Sequence, residues 1–511
     1  MIEHIIPALS YLLTLENLIF MNIGMFAGII FGAIPGINGN LAITILLPFT
    51  FALRPVPALL MLTSIFFGAN FGGSISAILI NTPGTANAAA TLIDGYPLSK
   101  RGFPRKGLDM ALAASTFGGF ISAFCLLFFA PQIGKIALKI RAPEYFALAL
   151  LGLSIIASVS GKSIIKGLIS GTIGMVIAVV GIDPNSGILR FVFNVPNLFG
   201  GIKMMVVMLG VYAVSQMIGW VNNSDENSGS LVLRKTGEED RLTMKDIKAT
   251  FWTMVKSSFI GAFIGAMPGA GGNIAAFVSY NEAKRCAKPG EKFGEGELKG
   301  IAAPESANNG ATAATMIPLL TLGIPGDAVS ATLLGAFTIQ GLVVGPRLFD
   351  ESGPVIYAIM LGIVVSQIFI FIQGKYLMAL FVKIIRVPQN LLVALLMMIC
   401  CTGAFAMANM TFDMYVMILS GIVGYFMKKI DLPPIPIVLG IILGPIAESN
   451  LRNSLVLSGG SWLIFFKRPI CLAFILITVL LIVLLKRNEA KQRRTMEVFV
   501  EKQAGESEIT N

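Results

Sequence analysis

The sequence predicts an all-α polytopic membrane protein, and three observations carry that reading. Hydrophobic residues fill 55% and charged residues 13% of the 511 positions, whereas a soluble domain carries about 25% charged residues. Mean hydropathy is +0.80. Apolar runs close to the roughly 20 residues needed to cross the hydrocarbon core recur along the chain. Strict polar–apolar alternation is absent, so backbone hydrogen bonds in lipid are to be met within helices and not in a barrel.

The runs are Asn17–Ile34, Ala58–Ile80, Leu108–Ala130, Tyr145–Ser160, Ile164–Gly181, Ile202–Trp220, Ile356–Leu380, Leu391–Ala408, Met410–Phe426 and Pro469–Leu485, with shorter apolar pieces between them. They predict about 10–12 transmembrane helices together with broken helices or re-entrant hairpins. The 54 glycines suit helices that pack closely.

The net charge of +10 sits in short loops and in the tail, where positive-inside orientation accounts for it without a nucleic-acid partner. Cys125, Cys400, Cys401 and Cys471 lie in apolar segments and Cys286 in a charged loop. None has CxxC spacing, so they read as reduced packing residues. Residues 1–10 contain Glu3 and His4 and lack a basic n-region and a cleavage site, so no secretory signal is expected.

An internal repeat organises the chain. Gly28-Ile-Ile-Phe-Gly32-Ala-Ile-Pro35-Gly36-Ile-Asn38-Gly39-Asn40 returns as Gly261-Ala-Phe-Ile-Gly265-Ala-Met-Pro268-Gly269-Ala-Gly-Gly272-Asn273, 233 positions later. Ile80-Asn-Thr82-Pro83-Gly84-Thr85-Ala86 returns as Leu322-Gly-Ile-Pro325-Gly326-Asp327-Ala328, 242 positions later. Two such halves mark a structural repeat with a substrate site at its interface. The expected organisation is a first transmembrane repeat at 17–220, a polar linker at 221–249, a second repeat at 250–460, a C-terminal transmembrane helix at 461–487 and a polar tail at 488–511. The loop after the first repeat's second break carries Lys100, Arg101, Arg105 and Lys106, while its counterpart sets Arg347 against Asp350 and Glu351. That difference predicts an inverted repeat with the first loop in the cytoplasm.

Each Pro-Gly pair interrupts an apolar, helix-length run, because proline removes a backbone donor and glycine tolerates left-handed geometry. Backbone freed at membrane depth is tolerated only inside protein or around a polar cavity. Four breaks in register therefore predict a shared chamber, although a single one would read as a kink, and Gly28, Gly32 and Gly36 could form a plain packing stripe. Helices that restart after a break present N–H groups and the positive end of their dipole to an anion. Asn38, Asn40, Thr85, Asn87 and Asn273 can add neutral donors. A carboxylate suits such ends, and carbonyls at the opposite ends suit sodium. The polar run Pro304-Glu-Ser306-Ala-Asn308-Asn309-Gly-Ala-Thr312 reads either as a loop cap or as lining of the chamber. Asp327 is the candidate for the coupling ion, since charge at membrane depth is costly; a helix N-cap role would account for it equally.

Other chemistries find little support. Gly161-Lys162-Ser163 has Ile156 where a P-loop needs glycine. His4 is the single histidine, which removes a His-based zinc cluster and disfavours a Ser/His hydrolase. No enzyme is expected.

At Phe71–Thr85, Asp94-Gly-Tyr-Pro97, Ala302–Asn309 and Pro318–Gly326 the chain resembles the TctA family, the large membrane subunit of tripartite tricarboxylate transporters, from about residue 17 to 460. The resemblance implies the substrate-translocating subunit of a secondary transporter in the bacterial inner membrane. Such a subunit is driven by an ion gradient, commonly sodium, and carries carboxylates such as citrate. Its implied partners are a periplasmic solute-binding protein and a small membrane subunit. No cofactor beyond the coupling ion is implied. By position the resemblance places the site at Pro35, Gly36, Thr82, Pro83, Gly84, Thr85, Pro268, Gly269, Asn308, Asn309, Pro325 and Gly326. Together with Asn38, Gly39, Asn40, Asn87, Gly272, Asn273 and Ser306, these are the expected substrate-binding residues. Asn38, Asn40 and Asn273 stand where the family often has smaller or hydroxyl residues, and Asp327 where a neutral residue is usual, which bears on the substrate's charge. The alternatives are a stand-alone secondary carrier for another small solute and a non-transporting membrane scaffold.

Overall fold

Capping residues, prolines and glycines decide where the apolar runs become helices. After α1 (Ile2–Leu12), Thr14 caps α2 (Leu15–Ala33) by accepting the Asn17 N–H. The helix stops just before Pro35, whose ring disfavours helical geometry in the preceding residue. Asn38 then caps α3 (Gly39–Leu46), its Oδ1 taking the Leu41 N–H at 2.9 Å. A proline in its first turn starts α4 (Pro55–Ile80) and left-handed Asn81 ends it. The first half continues through α5 (Ala89–Lys100), α6 (Pro104–Ala137), α7 (Ala142–Val159), α8 (Ile164–Ala178), α9 (Met204–Met208), a π-helical turn at Leu209–Val214 and α10 (Ser215–Asn222).

A Thr243–Asp246 capping box opens α11 (Met244–Gly265). It is followed by α12 (Gly271–Arg285), α13 (Leu298–Ala314), α14 (Met316–Leu322), α15 (Ala328–Ile339), α16 (Leu348–Glu351), α17 (Gly353–Tyr376), α18 (Met378–Ile384), α19 (Gln389–Ala406), α20 (Thr411–Lys429) and α21 (Ile435–Leu457). The structure is a computed structural model and describes residues 2–138, 140–159, 164–183, 186–222, 240–268, 271–384, 389–406, 409–480 and 482–483. Gly269, most of the expected 221–249 linker and the 488–511 tail lie outside these.

Among the described residues five helices are long and apolar enough to cross a membrane: Leu15–Ala33, Pro55–Ile80, Pro104–Ala137, Met204–Val221 and Gly353–Tyr376. Shorter apolar helices accompany them, including Gly39–Ala52, Ala142–Ser154, Ile165–Ala178, Ala328–Ile339, Leu391–Ala406 and Pro469–Leu480. This is the all-α polytopic membrane protein expected, with interrupted helices at the Pro-Gly pairs. Of the two readings of the polar run from Pro304 to Thr312, the loop cap does not hold. The run forms the interior of α13, where every residue from Gly300 to Ala314 is buried.

The chain forms two compact units, and each takes residues from both sequence halves. One comprises Met1–Lys139 and Met205–Tyr425, the other Ile140–Met204 and Phe426–Asn511. In the second unit α7 and α8 pack on α21, with Gly174 against the Ile437 backbone and Gly440 against Gly171. A short hairpin there pairs Gly181 with Arg190 and Ile182 with Leu189. It is tied to α21 by a ring of ion pairs: Arg190–Glu448 at 2.9 Å, Arg452–Asp183 at 3.0 Å, Arg452–Glu448 at 2.7 Å, and Arg190–Asp183.

In the first unit the repeat is visible as repeated contacts. A Cβ on Gly28 would meet the backbone of Ile65, and one on Gly32 that of Ala69; a Cβ on Gly261 would meet Ala307, and one on Gly265 Ala311. The glycines stand 233 positions apart and their partners 242, the two offsets of the sequence repeat. The αL ends of α4 and α14, Asn81 and Gly323, are 242 apart as well. Equivalent helices α6 and α17 lie side by side and run antiparallel. Gly374 faces Leu112, Gly119 faces Gln367, and Gly134 faces Phe349 just before α17.

These approaches leave no room for a side chain, whereas Gly219 has nothing within 4 Å of its Cβ position. Gly32→Leu and Gly265→Leu are therefore expected to lower the melting temperature and yield of the detergent-purified protein, by more than the about 1–3 kcal/mol of ordinary overpacking because backbone is the obstacle. Gly219→Leu should leave both unchanged. Equal behaviour of the three variants in a thermal-unfolding assay would reject this packing.

Candidate functional site

All four breaks lie in the first unit and touch in pairs. At the first, Gly36 has φ 88° and its Cβ position lies 3.1 Å from the indole Nε1 of Trp220. At the second, Thr82-Pro83-Gly84 follows left-handed Asn81, and the Gly84 N–H is satisfied by the Gly73 carbonyl at 3.1 Å. The Cβ position of Gly84 lies within clashing distance of the Gly32 carbonyl oxygen at the end of α2, so the first two breaks are in direct contact. At the third, α11 ends before half-buried Pro268, and Gly271, with φ 63°, has its Cβ position 3.2 Å from Asp327 Cβ at the fourth. Gly326 packs on Thr315 Cα as Gly84 packs on Gly73 Cα; Gly326 stands 242 positions after Gly84, and Thr315 242 after Gly73.

The halves also cross over. A Cβ on Gly39 would face Val329 at 3.8 Å and Phe66 at 3.9 Å. One on Gly272 would face Asn87 Nδ2 at 2.7 Å and Asn308 Oδ1 at 3.0 Å, the residues at the equivalent positions. Each restarted helix thus packs on the other half's second break, and Asn40 secures one such junction by accepting the Thr332 hydroxyl.

Between these junctions lies a cluster of amides and hydroxyls, buried except for half-buried Asn87. Asn87 Nδ2 donates to Asn308 Oδ1 at 2.9 Å and to Asn70 Oδ1 at 3.2 Å, and Asn70 Nδ2 donates to Thr312 Oγ1 at 2.7 Å. Asn70 and Thr312 are 242 apart, so equivalent residues of the two halves hydrogen-bond to each other. Thr85 Oγ1, Asn308 Nδ2 and both side-chain polar atoms of Asn309 are buried without a protein partner. Such atoms cost about 1–3 kcal/mol each when left unmet, and the Thr85 hydroxyl and the two Nδ2 groups are neutral donors that a small anion could use without a buried lysine.

The remaining expected site residues divide clearly. Pro325 and Gly326 are buried, and Pro35, Thr82 and Pro83 are half-buried at the break corners. Asn38 is exposed and spends its carbonyl on capping α3. Asn273 is exposed, unlike its equivalent Asn40, and Ser306 turns away to donate to the Ala114 carbonyl at 3.2 Å. Asp327 forms a capping box with Ser330, its Oδ1 taking the Ser330 N–H at 2.8 Å. Of the two readings of Asp327, the N-cap is thus the one its geometry accounts for. Asn70 and Trp220 are not among the expected residues, whereas Glu305 and Thr312 lie in the polar run read as possible lining of the chamber. Asn70 carried a signal, being an amide inside the apolar run Ala58–Ile80.

A family model described as the tripartite tricarboxylate transporter TctA family matches residues 18–439. The chain belongs to that family. It is 33% identical, over 96% of its own length and 97% of the other's, to an uncharacterised 52.8 kDa protein of the TAR-I ttuC' 3' region of Agrobacterium vitis. It is 34% identical to an uncharacterised protein of the TAR-II ttuC' 3' region of the same organism, over 47% of this chain and 99% of the other. No solved structure matches. In this TctA-family chain the family match spans all four breaks and the amide cluster.

If Asn70 and Thr312 bond across the repeat, their alanine variants are coupled. A double-mutant cycle on thermal unfolding should return an interaction of about 0.5–2 kcal/mol. Strictly additive variants would contradict the contact.

Proposed function

We propose that this TctA-family chain is the substrate-translocating subunit of a binding-protein-dependent, ion-gradient-driven secondary transporter for organic carboxylates of the tricarboxylate type. The observation that carries the reading is the pairwise contact of four helix breaks, two from each half, beside one buried set of neutral donors. Irregular backbone at membrane depth is tolerated where it lines a polar cavity, and a repeat interface is where secondary transporters bind their cargo.

The antiparallel course of α6 and α17 supports an inverted repeat, because equivalent spans pointing in opposite directions bring equivalent ends to opposite faces. Alternating access then follows from exchanging the environments of the two halves. The N-terminal end of α3 and the unpartnered Nδ2 groups of Asn308 and Asn309 favour a carboxylate. The engagement of Asp327 in its own cap keeps that acidic group occupied at the fourth break. The tripartite description of the family supports two protein partners. A periplasmic solute-binding protein delivers the anion, a small membrane subunit completes the complex, and sodium is the coupling ion across the bacterial inner membrane.

The test is uptake of radiolabelled citrate, and of a panel of other di- and tricarboxylates, by cells carrying the chain with its binding protein and small subunit. Accumulation should need an inward sodium gradient and the binding protein. Thr85→Ala and Asn308→Ala should cut initial uptake by about tenfold or more, the equivalent of one lost buried hydrogen bond, with unchanged amounts in the membrane. Full uptake in both variants, or uptake by the chain alone at the same rate, would overturn the reading.

A further inference from the structure

One buried charge is not used by the arrangement described so far. Glu305 on α13 is 0% exposed. Its Oε1 accepts the hydroxyls of Ser74 on α4 and Thr91 on α5, and its Oε2 accepts that of Ser115 on α6 at 2.8 Å. These contacts are all neutral.

The charged groups on the surrounding helices are engaged elsewhere or, like Lys100, Lys135, Lys245, Lys248 and Lys284, exposed. Asp94 on α5 takes the N–H groups of Gly294, Gly296 and Glu297 and the hydroxyl of Tyr280. On α6, Asp109 pairs with Arg105, and Lys106 pairs with Asp246 of α11. Lys256 of α11 pairs with Glu282 of α12, which also holds Arg285, and Lys299 of α13 pairs with Glu291. On α17, Lys375 lies over the rings of Phe371 and Tyr376. No charged residue occurs in α4 or α14.

A fully buried carboxylate facing three neutral hydroxyls is several kcal/mol short of compensation for its lost hydration. A monovalent cation restores the balance, and the ligand set suits one. The carboxylate supplies two oxygens, and each hydroxyl can rotate to present a lone pair in place of its proton.

The repeat shows that packing alone does not call for this charge. The position equivalent to Glu305 in the first half is Thr63, whose hydroxyl bonds within its own helix to the Leu59 carbonyl at 2.8 Å. The equivalents of Ser74 and Thr91 are Met316 and Leu333, both buried. The same scaffold is thus built once with a carboxylate at this position and once without one. A charge held at membrane depth on one side only of a duplicated core points to function.

Its location connects it to both parts of the candidate site. Asn308 and Asn309 follow it by three and four positions on α13, about one helical turn, and Thr91 follows Asn87 by four along the segment restarted after the second break.

We propose that Glu305 is the charge-compensating cation site of the translocation unit. Its carboxylate, with the hydroxyl oxygens of Ser74, Thr91 and Ser115, takes up one monovalent cation, a proton or a sodium ion, as the anionic substrate occupies the neighbouring amide cluster. The coupling part of this proposal rests on the transport reading above; the cation site itself does not.

Two readouts on the full-length chain test it. In the first, thermal unfolding of the purified protein is followed in sodium chloride against choline chloride at equal ionic strength, and across pH. A sodium site raises the wild-type melting temperature in sodium, and a proton site gives it a pH midpoint; Glu305→Gln should remove whichever occurs, and Glu305→Asp should shift its half-saturation or midpoint. In the second, the transporter with its partners is reconstituted in proteoliposomes with radiolabelled citrate. Glu305→Gln should lower gradient-driven accumulation by about tenfold or more, while citrate–citrate exchange, which needs no net ion movement, continues. Wild-type and Glu305→Gln proteins that share the same ion response, or a Glu305→Gln variant that loses exchange together with accumulation, overturn the proposal. A wild-type protein that shows the cation response and moves no carboxylate leaves the cation site standing and refutes the transport reading.

Discussion

Lipid offers no hydrogen-bond partner to a peptide group, and this constraint shapes the rest of the first unit. A chain that interrupts four helices at proline and glycine must enclose the freed backbone in protein. Here the enclosure is achieved by contact so close that only glycine fits: the Gly84 N–H meets the Gly73 carbonyl, and the Gly32 carbonyl occupies the space where a Gly84 side chain would begin. The tight packing of α2 on α4 and of α11 on α13 brings the two breaks of each half together. The reciprocal packing of Gly39 on Val329 and of Gly272 on Asn87 joins the halves.

Polar chemistry collects where this packing converges. Asn70 and Thr312 occupy the same position in the two halves and meet each other, so they mark where the halves face each other most directly. Around them, amides and hydroxyls from both halves stand partly satisfied. A cluster of this kind can exchange its internal hydrogen bonds for others without breaking an ion pair of its own. Glu305 adds the component the neutral cluster lacks, a negative charge within one turn of the amides that a cation must offset.

Much of this was legible in the sequence for a physical reason: proline and glycine act locally, so their effect on a helix does not depend on the rest of the fold. The corners at Pro35, Pro83, Pro268 and Pro325, and the two offsets that relate them, are readable before any packing is known. What depends on long-range contact was not. The run Pro304–Thr312 is polar enough to pass for a loop, and only the company of α4, α5, α6 and α11 makes a buried helix of it. Asn38 and Asn273 look equal to Asn40 in sequence, yet only Asn40 meets a partner across the interface. The division into compact units is likewise not legible, because each takes segments from both halves, and no local signal reports which helix will dock on which.

The central claim is that the breaks of both halves form one binding chamber around the Asn70, Asn87, Asn308 and Thr312 cluster. An experimental structure of the full chain with a bound carboxylate tests it most directly. The account predicts ligand density within hydrogen-bonding distance of Asn87, Asn308 or Asn309, between the corners at Gly84 and Gly326. Ligand density at a lipid-facing or water-exposed surface, with those corners far from it, would contradict it.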